Sequence, residues 1–300
     1  MSLGRRDFLG LAAASSVTLL AGKSLANEQQ LPRECKDACA VLVDTAVCIG
    51  CRKCEWACNR QHKLSDKDMA AFEDKTIFKT HRRPDDKAYT VVNEFRDPAN
   101  PEKQYAMKVQ CMHCIDPACV SACIVGALEK LPNGPVVYDA WKCMGCRYCI
   151  VACPFQIPAY EYDNALTPQV RKCTFCTERN LAEGDVPACV EACPNEALTF
   201  GTREDLIGLA NARIKAYPDR YVDHIYGEHE AGGTSWMYLA PADFKNTELP
   251  EIPPDRIPPN TENIQHAVFK WFVPPLALYG LLGLIMASRP DKEKEQENEE

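Results

Sequence analysis

The chain lacks an excess of positive charge. Its 34 Lys and Arg face 42 Asp and Glu, a formal net charge of −8 over 300 residues. That balance argues against nucleic acid as the main partner. A glycine-rich nucleotide-binding fingerprint, a serine–histidine–aspartate order and an HExxH pair are all missing. Nothing therefore points to dinucleotide, hydrolase or zincin chemistry. Histidine is scarce as well. Five of the six are scattered, and only His113 falls inside a cysteine run. As a metal ligand it would be redundant there, so its expected role is packing or tuning of a neighbouring centre.

What the chain has in abundance is cysteine, 18 residues, and proline, 22 residues. The remaining composition is ordinary for a globular protein, 46% hydrophobic and 25% charged. The length suffices for one large or two small domains with real cores. Disulfide scaffolds are usually short chains with scattered cysteines. Here 16 of the 18 fall into four tight groups, each opening C-x2-C. Cysteines so close in sequence suit thiolates converging on a metal centre.

The spacings are specific. Group one is Cys48, Cys51, Cys54 and Cys58; group two is Cys111, Cys114, Cys119 and Cys123. Group three is Cys143, Cys146, Cys149 and Cys153, followed by Pro154; group four is Cys173, Cys176, Cys189 and Cys193, followed by Pro194. Groups one and three follow the C-x2-C-x2-C-x3-C run of bacterial ferredoxins. In such a run three thiolates on a tight loop bind three irons of a cubane. The fourth cysteine, expected to start a helix pointing away, ligates a neighbouring cluster. Sixteen cysteines at four per centre give four [4Fe–4S] clusters, arranged in pairs that exchange ligands. The rival reading is a structural zinc protein. Zinc ribbons, however, use two separated cysteine pairs, not four-cysteine runs with an x3 step before the last. Trp56, Trp141, Phe155 and Phe175 flank the groups and are expected to shield the clusters from water.

Along the chain, Arg5-Arg6 followed by Phe8-Leu9 and a mild apolar run from Leu11 to Ala21 reads as a twin-arginine export signal over 1–26. Ser24-Leu25-Ala26 supplies the cleavage site. That route moves folded proteins and suits a chain that must acquire its clusters before export. Val41-Leu42-Val43 predicts a short strand, 128–138 a hairpin around Asn133-Gly134, and Ala197–Phe200 a closing strand. Residues 59–105 are polar without strong periodicity and read as an insertion. A helix is predicted over 203–216, with Leu206, Ile207, Leu209, Ala210 and Ile214 near one face. The proline-rich stretch 240–260 reads as an extended linker. From Trp271 to Ala287 no residue is charged, so 264–288 reads as a transmembrane anchor that Pro274-Pro275 should kink or shorten. Arg289, Lys292 and Lys294 follow it, as the positive-inside rule expects of a cytoplasmic tail over 289–300. Cys35 and Cys39 lie outside the pattern. They are free to share a helix face, to form a disulfide or to stay as thiols; two ligands are too few for a fifth metal site.

These spacings resemble the four-cluster, ferredoxin-like iron–sulfur subunits of membrane oxidoreductases, those of dimethyl sulfoxide reductase, polysulfide reductase and formate dehydrogenase among them. The later segments resemble in particular the HybA-type subunit of membrane-bound nickel–iron hydrogenase. The likeness rests on Gln110-Cys111-Met112-His113-Cys114, on Cys146-Arg147-Tyr148-Cys149 and on Gly201-Thr202-Arg203-Glu204. It extends to Tyr226-Gly227-Glu228, Gly232-Gly233-Thr234 and Glu262-Asn263-Ile264-Gln265-His266. The resemblance implies an α+β fold of two ferredoxin-like modules over 27–202, loop-rich, followed by an extension and linker over 203–263 and the transmembrane helix. It implies one cluster on Cys48, Cys51, Cys54 and Cys193 and a second on Cys58, Cys173, Cys176 and Cys189. A third would sit on Cys111, Cys114, Cys119 and Cys153, and a fourth on Cys123, Cys143, Cys146 and Cys149. Spacing alone leaves a pairing of groups three and four equally open. Two departures are visible, Asn59 and Ile124 standing where a proline often follows the last cysteine; neither removes a ligand. The implied role is a non-catalytic electron relay on the periplasmic side of the cytoplasmic membrane. It would run between a catalytic subunit, expected to be a hydrogenase, and a quinone-reactive membrane subunit. A molybdopterin oxidoreductase is the alternative catalytic partner.

Overall fold

Val41, Leu42 and Val43 lie in the middle of β1 (Cys39–Asp44), a strand buried along its whole length. The structure is a computed structural model. It describes residues 38–288 apart from 99, 180, 182 and 183, and the side chains of 100–101, 260–261, 264–274 and 287–288 are also outside the description. The predicted export signal, Cys35 and the polar tail lie outside it too. Cys39 opens β1 and is disulfide-bonded. It therefore sits on a strand and not on the helix face considered from the sequence.

β1 is the centre of a three-stranded sheet. It pairs antiparallel with β8 (Leu198–Thr202) and parallel with β9 (Trp236–Leu239). Side chains alternate between the faces of a strand, and here the two faces enter different cores. Val41, Val43, Trp236, Tyr238 and Leu198 join a core that includes Cys111, Cys173 and Cys189. Ala40, Leu42, Met237 and Leu239 meet Leu206, Ala210 and Ile214 of α5 (Arg203–Ala216). A central strand covered on both faces reads as a continuous apolar run. The α5 helix is capped by Thr202, whose Oγ1 accepts a hydrogen bond from the Asp205 amide at 3.2 Å. Acidic Glu204 and Asp205 in the first turn and Arg213 and Lys215 in the last complement the helix dipole.

Between β1 and β8 the chain runs through α1 (Lys53–His62), the hairpin β2 (Thr90–Asp97) and β3 (Asn100–Gln110), and α2 (Ala118–Ser121). Next come the hairpin β4 (Leu128–Lys130) and β5 (Val136–Tyr138), α3 (Tyr148–Ala152), the short pair β6 (Ala159–Tyr160) and β7 (Val170–Arg171), and α4 (Ala188–Glu191). The β4–β5 hairpin turns at Asn133-Gly134. A side chain at 134 would meet the Cys39 carbonyl at 2.8 Å, and the glycine has φ +115°.

Two expectations change. The supposed insertion 59–105 holds β2 and part of β3, in register from Thr90 opposite Gln110 to Arg96 opposite Gln104. Its periodicity is hidden because polar residues are buried among the apolar ones. Asn93, for example, donates to the Arg82 carbonyl and to Glu248, both at 2.7 Å. The stretch 240–260 is no free linker. Ala240, Ala242, Phe244 and Leu249 are buried in the main core. The carbonyl of Pro250 accepts from Tyr226 Oη at 2.6 Å, and that of Pro253 from the Ala231 amide at 3.0 Å. Proline has no N–H but keeps its acceptor, and these acceptors strap the segment to the body.

The C-terminal segment is one helix, α6 (Pro258–Ser288), assigned without a break across Pro274 and Pro275. A proline removes one helical hydrogen bond without necessarily ending the helix. Two prolines also fit its first turn, where their missing N–H costs nothing. The helix packs against α2. Leu276, Leu278, Tyr279, Leu284 and Met286 are exposed. Among the described residues no helix is long and apolar enough to cross a membrane.

Candidate metal centre

Each cysteine group is a loop bent by one repeated device. The residue before the second cysteine has positive φ in all four: Gly50 at 64°, His113 at 47°, Gly145 at 74° and Phe175 at 63°. In groups one and three the residue after the second cysteine does too, Arg52 at 60° and Arg147 at 61°. Left-handed residues among right-handed ones turn successive amides inward, which is how backbone forms anion-binding nests. The amides of Gly145 and Phe175 approach the Sγ atoms of Cys143 and Cys173 at 3.4 Å, and that of Ala127 reaches Cys123 at 3.1 Å.

The last two cysteines of every group are four residues apart, one helical turn. Cys54 and Cys58 both lie on α1. Cys119, Cys149 and Cys189 lie on α2, α3 and α4, with Cys123, Cys153 and Cys193 just beyond their ends. This corrects the expectation that the fourth cysteine starts a helix: the helix begins about the third cysteine, and the fourth sits a turn later. The helices pack in pairs, α1 on α4 and α2 on α3.

Electrostatic neighbours show which thiols share space. Burial raises Cys48 to about 11, with Cys193 and Cys51 adding to the rise. Cys58 is pushed up by burial, then by Cys173, Cys189 and Cys176. Burial raises Cys114, and its thiol neighbours are Cys153, Cys111 and Cys119. Burial raises Cys149 to about 11, with Cys123, Cys146 and Cys143 around it. Cys54 is raised by burial and feels both Cys48 and Cys189. Buried thiols that oppose one another's ionisation need a cationic core between them to be held as thiolates. An all-sulfur donor set with inward amides is what an iron–sulfur cubane requires of its protein.

Cysteines of the first three neighbourhoods share a core with Phe175 and Trp236, an aromatic and cationic centre that spacing could not reveal. His113 packs edge-on to Phe175 at 5.0 Å between ring centroids, and Phe175 packs edge-on to Trp236 at 5.9 Å. His113 accepts the Val136 amide on Nδ1 at 2.9 Å; burial, Lys172 and Lys130 hold it well below the usual histidine range, as a neutral ring. It serves as packing and as an acceptor. Lys172 is buried and donates to the Val136 carbonyl at 2.5 Å. Burial lowers Lys130 to about 8, against the pull of Cys114 and Cys111. Lys108 lies over the Trp236 ring, its Nζ 4.3 Å from the centroid. Phe155 and Phe175 are buried as shields should be, whereas Trp56 is half-buried and Trp141 is 94% exposed and shields nothing within this chain. His62, Cys176 and Glu178 also gather at one rim, with Cys176 already among the thiols of Cys58.

A family model described as a 4Fe-4S dicluster domain matches residues 103–203. A protein of Nitratidesulfovibrio vulgaris (strain Hildenborough) is 48% identical over 252 residues, 83% of this chain and 67% of that protein. The hydrogenase-2 operon protein HybA of Escherichia coli O157:H7 is 33% identical over 94% of this chain and 95% of its own length. The iron–sulfur subunit of the nitrate-inducible formate dehydrogenase of Escherichia coli K12 is 30% identical over 100% of this chain and 99% of its own. With four loops shaped alike around sulfur and this likeness end to end, the chain belongs to the family of ferredoxin-like iron–sulfur proteins that includes HybA and the formate dehydrogenase iron–sulfur subunits.

Proposed function

We propose that the chain is a non-catalytic electron relay carrying four [4Fe–4S] clusters. One cluster is held by Cys48, Cys51, Cys54 and Cys193, and the next by Cys58, Cys173, Cys176 and Cys189. A third is held by Cys111, Cys114, Cys119 and Cys153, and the last by Cys123, Cys143, Cys146 and Cys149. The observation that carries the reading is the sharing of space between remote thiols: Cys48 with Cys193, Cys58 with Cys173. Each group lends its last sulfur to another group's site, so the sites within a pair lie close. Cys173 is raised by burial and also feels Cys111, which supports a junction between the two pairs and a single wire.

The relay sits on the periplasmic side of the cytoplasmic membrane in this reading. What supports an anchor is the uncharged run from Trp271 to Ala287 within α6, about 17 residues and at the lower limit for a span. Its exposed leucines favour the bilayer or a membrane subunit as their cover. Ile124, Trp141, Met144 and Val151 are exposed around the cysteines of groups two and three, and so large an apolar rim is a docking face for a partner. We assign that face to the membrane subunit and the opposite end of the wire to a catalytic subunit, taken to be a hydrogenase from the HybA likeness. The formate dehydrogenase likeness spans the chain as fully and favours a molybdopterin enzyme as the second reading.

Anaerobic purification from membranes tests all three parts. About sixteen irons with equal acid-labile sulfide per chain support four cubanes, whereas stoichiometric zinc in a colourless protein overturns them. Nickel in the complex supports the hydrogenase, and molybdopterin supports the rival. In cells that lack the membrane subunit, truncation before Pro258 should release the chain from the membrane, and retention after truncation would refute the anchor.

A further inference from the structure

Lys108, like Lys172, is a buried lysine near the cysteines. It lies on β3 and is 1% exposed. Its ammonium donates to Gln110 Oε1 at 2.9 Å and lies 4.3 Å from the Trp236 ring centroid. Among the described residues no carboxylate comes within ion-pair distance of it. Gln110 is fixed in turn, since its Nε2 donates to Tyr238 Oη at 2.6 Å and Tyr238 Oη donates to the Lys108 carbonyl at 3.0 Å. A buried cation with no anion is costly, and a neutral amide and an indole face offset only part of that cost.

Trp236, the ring Lys108 lies over, packs in one core with Cys173, Cys189 and Cys54. Burial works against the charge of Lys108, and Cys189, Cys54 and Cys173 work for it. Cys54 belongs to the first proposed cluster, Cys173 and Cys189 to the second. A four-iron, four-sulfide core on four thiolates is a net anion and gains a further negative charge on reduction. A fixed cation beside it favours the reduced form, and net charge is one of the levers that sets cluster potentials.

We propose that Lys108 is the potential-setting residue of the cluster pair built by groups one and four, a fixed positive charge that makes both clusters of that pair easier to reduce. The inference rests on the four-cluster reading above. Lys172 and Lys130 face the other pair through Cys119 and Cys114, so that pair has cations of its own and should respond far less to the loss of Lys108.

The test is a redox titration of the intact complex followed by paramagnetic resonance, for the wild type, Lys108→Met, Lys108→Gln and Lys108→Arg. Removing the charge should shift the reduction equilibrium of two of the four clusters about tenfold toward the oxidised form, 59 mV for a one-electron centre. The other two should stay in place, and Lys108→Arg should titrate like the wild type. Full iron content with unmoved potentials overturns the role of Lys108, as does an equal shift of all four. If both neutral variants lose iron while Lys108→Arg retains it, the charge serves assembly and the proposal fails. A wild type with fewer than four clusters refutes the ligand reading instead, and iron analysis separates that failure from the others.

Discussion

Glu55 is the residue whose loss should most damage the scaffold without touching a thiol. It is buried on α1 directly after Cys54 and three residues before Cys58. Its carboxylate accepts from Arg52 Nη2 at 2.9 Å and Nε at 3.2 Å, from Arg82 Nη2 at 2.7 Å, and from the Val92 amide of β2 at 2.6 Å. Arg52 in turn donates to the carbonyls of Phe72 and Asp74, both at 3.1 Å. One carboxylate thus ties the cluster-bearing helix to the β2–β3 hairpin and pairs with two guanidiniums. Breaking a buried pair from one side costs about 3–5 kcal/mol, and an orphaned buried amide about 1–3 kcal/mol. These terms overlap, so Glu55→Ala should cost about 4 kcal/mol in total. At about 2–4 °C per kcal/mol for a body of this size, the thermal midpoint should fall roughly 8–16 °C. Glu55→Gln keeps the shape and an acceptor for Val92 and should lose less. The assay is anaerobic thermal melting of the holoprotein, read in parallel by tryptophan fluorescence and by visible cluster absorbance. Because the damage lies between Cys54 and Cys58, absorbance should fall before fluorescence in Glu55→Ala. A midpoint within about 1 °C of the wild type would falsify the reasoning, because it would mean that this carboxylate holds nothing.

Tyr221 donates to Asp44 Oδ2 at 2.7 Å, and burial, then that bond, raises its phenol to about 12. The unfolded chain ionises nearer 10. Its contribution is therefore complete below about pH 10 and lost between 10 and 12, and the stability gap to Tyr221→Phe should close over that window in alkaline denaturation curves. Gly227 has φ +94°, and a Cβ there would meet the Trp236 carbonyl at 2.6 Å. Gly227→Ala should lower stability by at least about 2 kcal/mol, measured by denaturant midpoint; an unchanged midpoint would show that the β9 turn relaxes. Cys146 is the one exposed thiol of the sixteen, so Cys146→Ser should cost at most about a quarter of the iron and leave three paramagnetic signals intact. Loss of all four signals would show that the sites do not assemble separately.

Much of this was legible because cysteine spacing is local. A tight loop needs its thiols at fixed steps, and the strand at Val41–Val43, the hairpin at Asn133-Gly134 and the α5 helix announce themselves by runs, turn residues and apolar faces. The illegible parts depend on contacts made far away in sequence. Lys108 reads as an ordinary polar residue of a strand until Trp236, 128 positions later, covers it. The polar stretch before Cys111 hid a hairpin because its buried Asn93 is satisfied by Glu248. The prolines of 250–254 looked like a spacer because sequence does not show that Tyr226 and Ala231 await their carbonyls.

The pairing of the groups is the sharpest case. From spacing, group three was as free to exchange cysteines with group four as with group two, since residues 123–143 and 153–173 make gaps of equal length. Both gaps in fact hold hairpins, β4–β5 and β6–β7, so local structure does not break the tie. β1 breaks it. The strand ends four residues before Cys48, β8 begins five residues after Cys193, and the two run antiparallel with Val43 opposite Leu198. Antiparallel pairing brings the end of one strand beside the start of the other. The loop that leaves β1 and the helix that enters β8 must then meet, and α1 packs on α4. With groups one and four held by the sheet, groups two and three are left to each other, and α2 packs on α3. Thus, in the proposed four-cluster reading, a sheet that supplies none of the sixteen free thiols sets which cysteine groups lie side by side, because its register holds group one against group four.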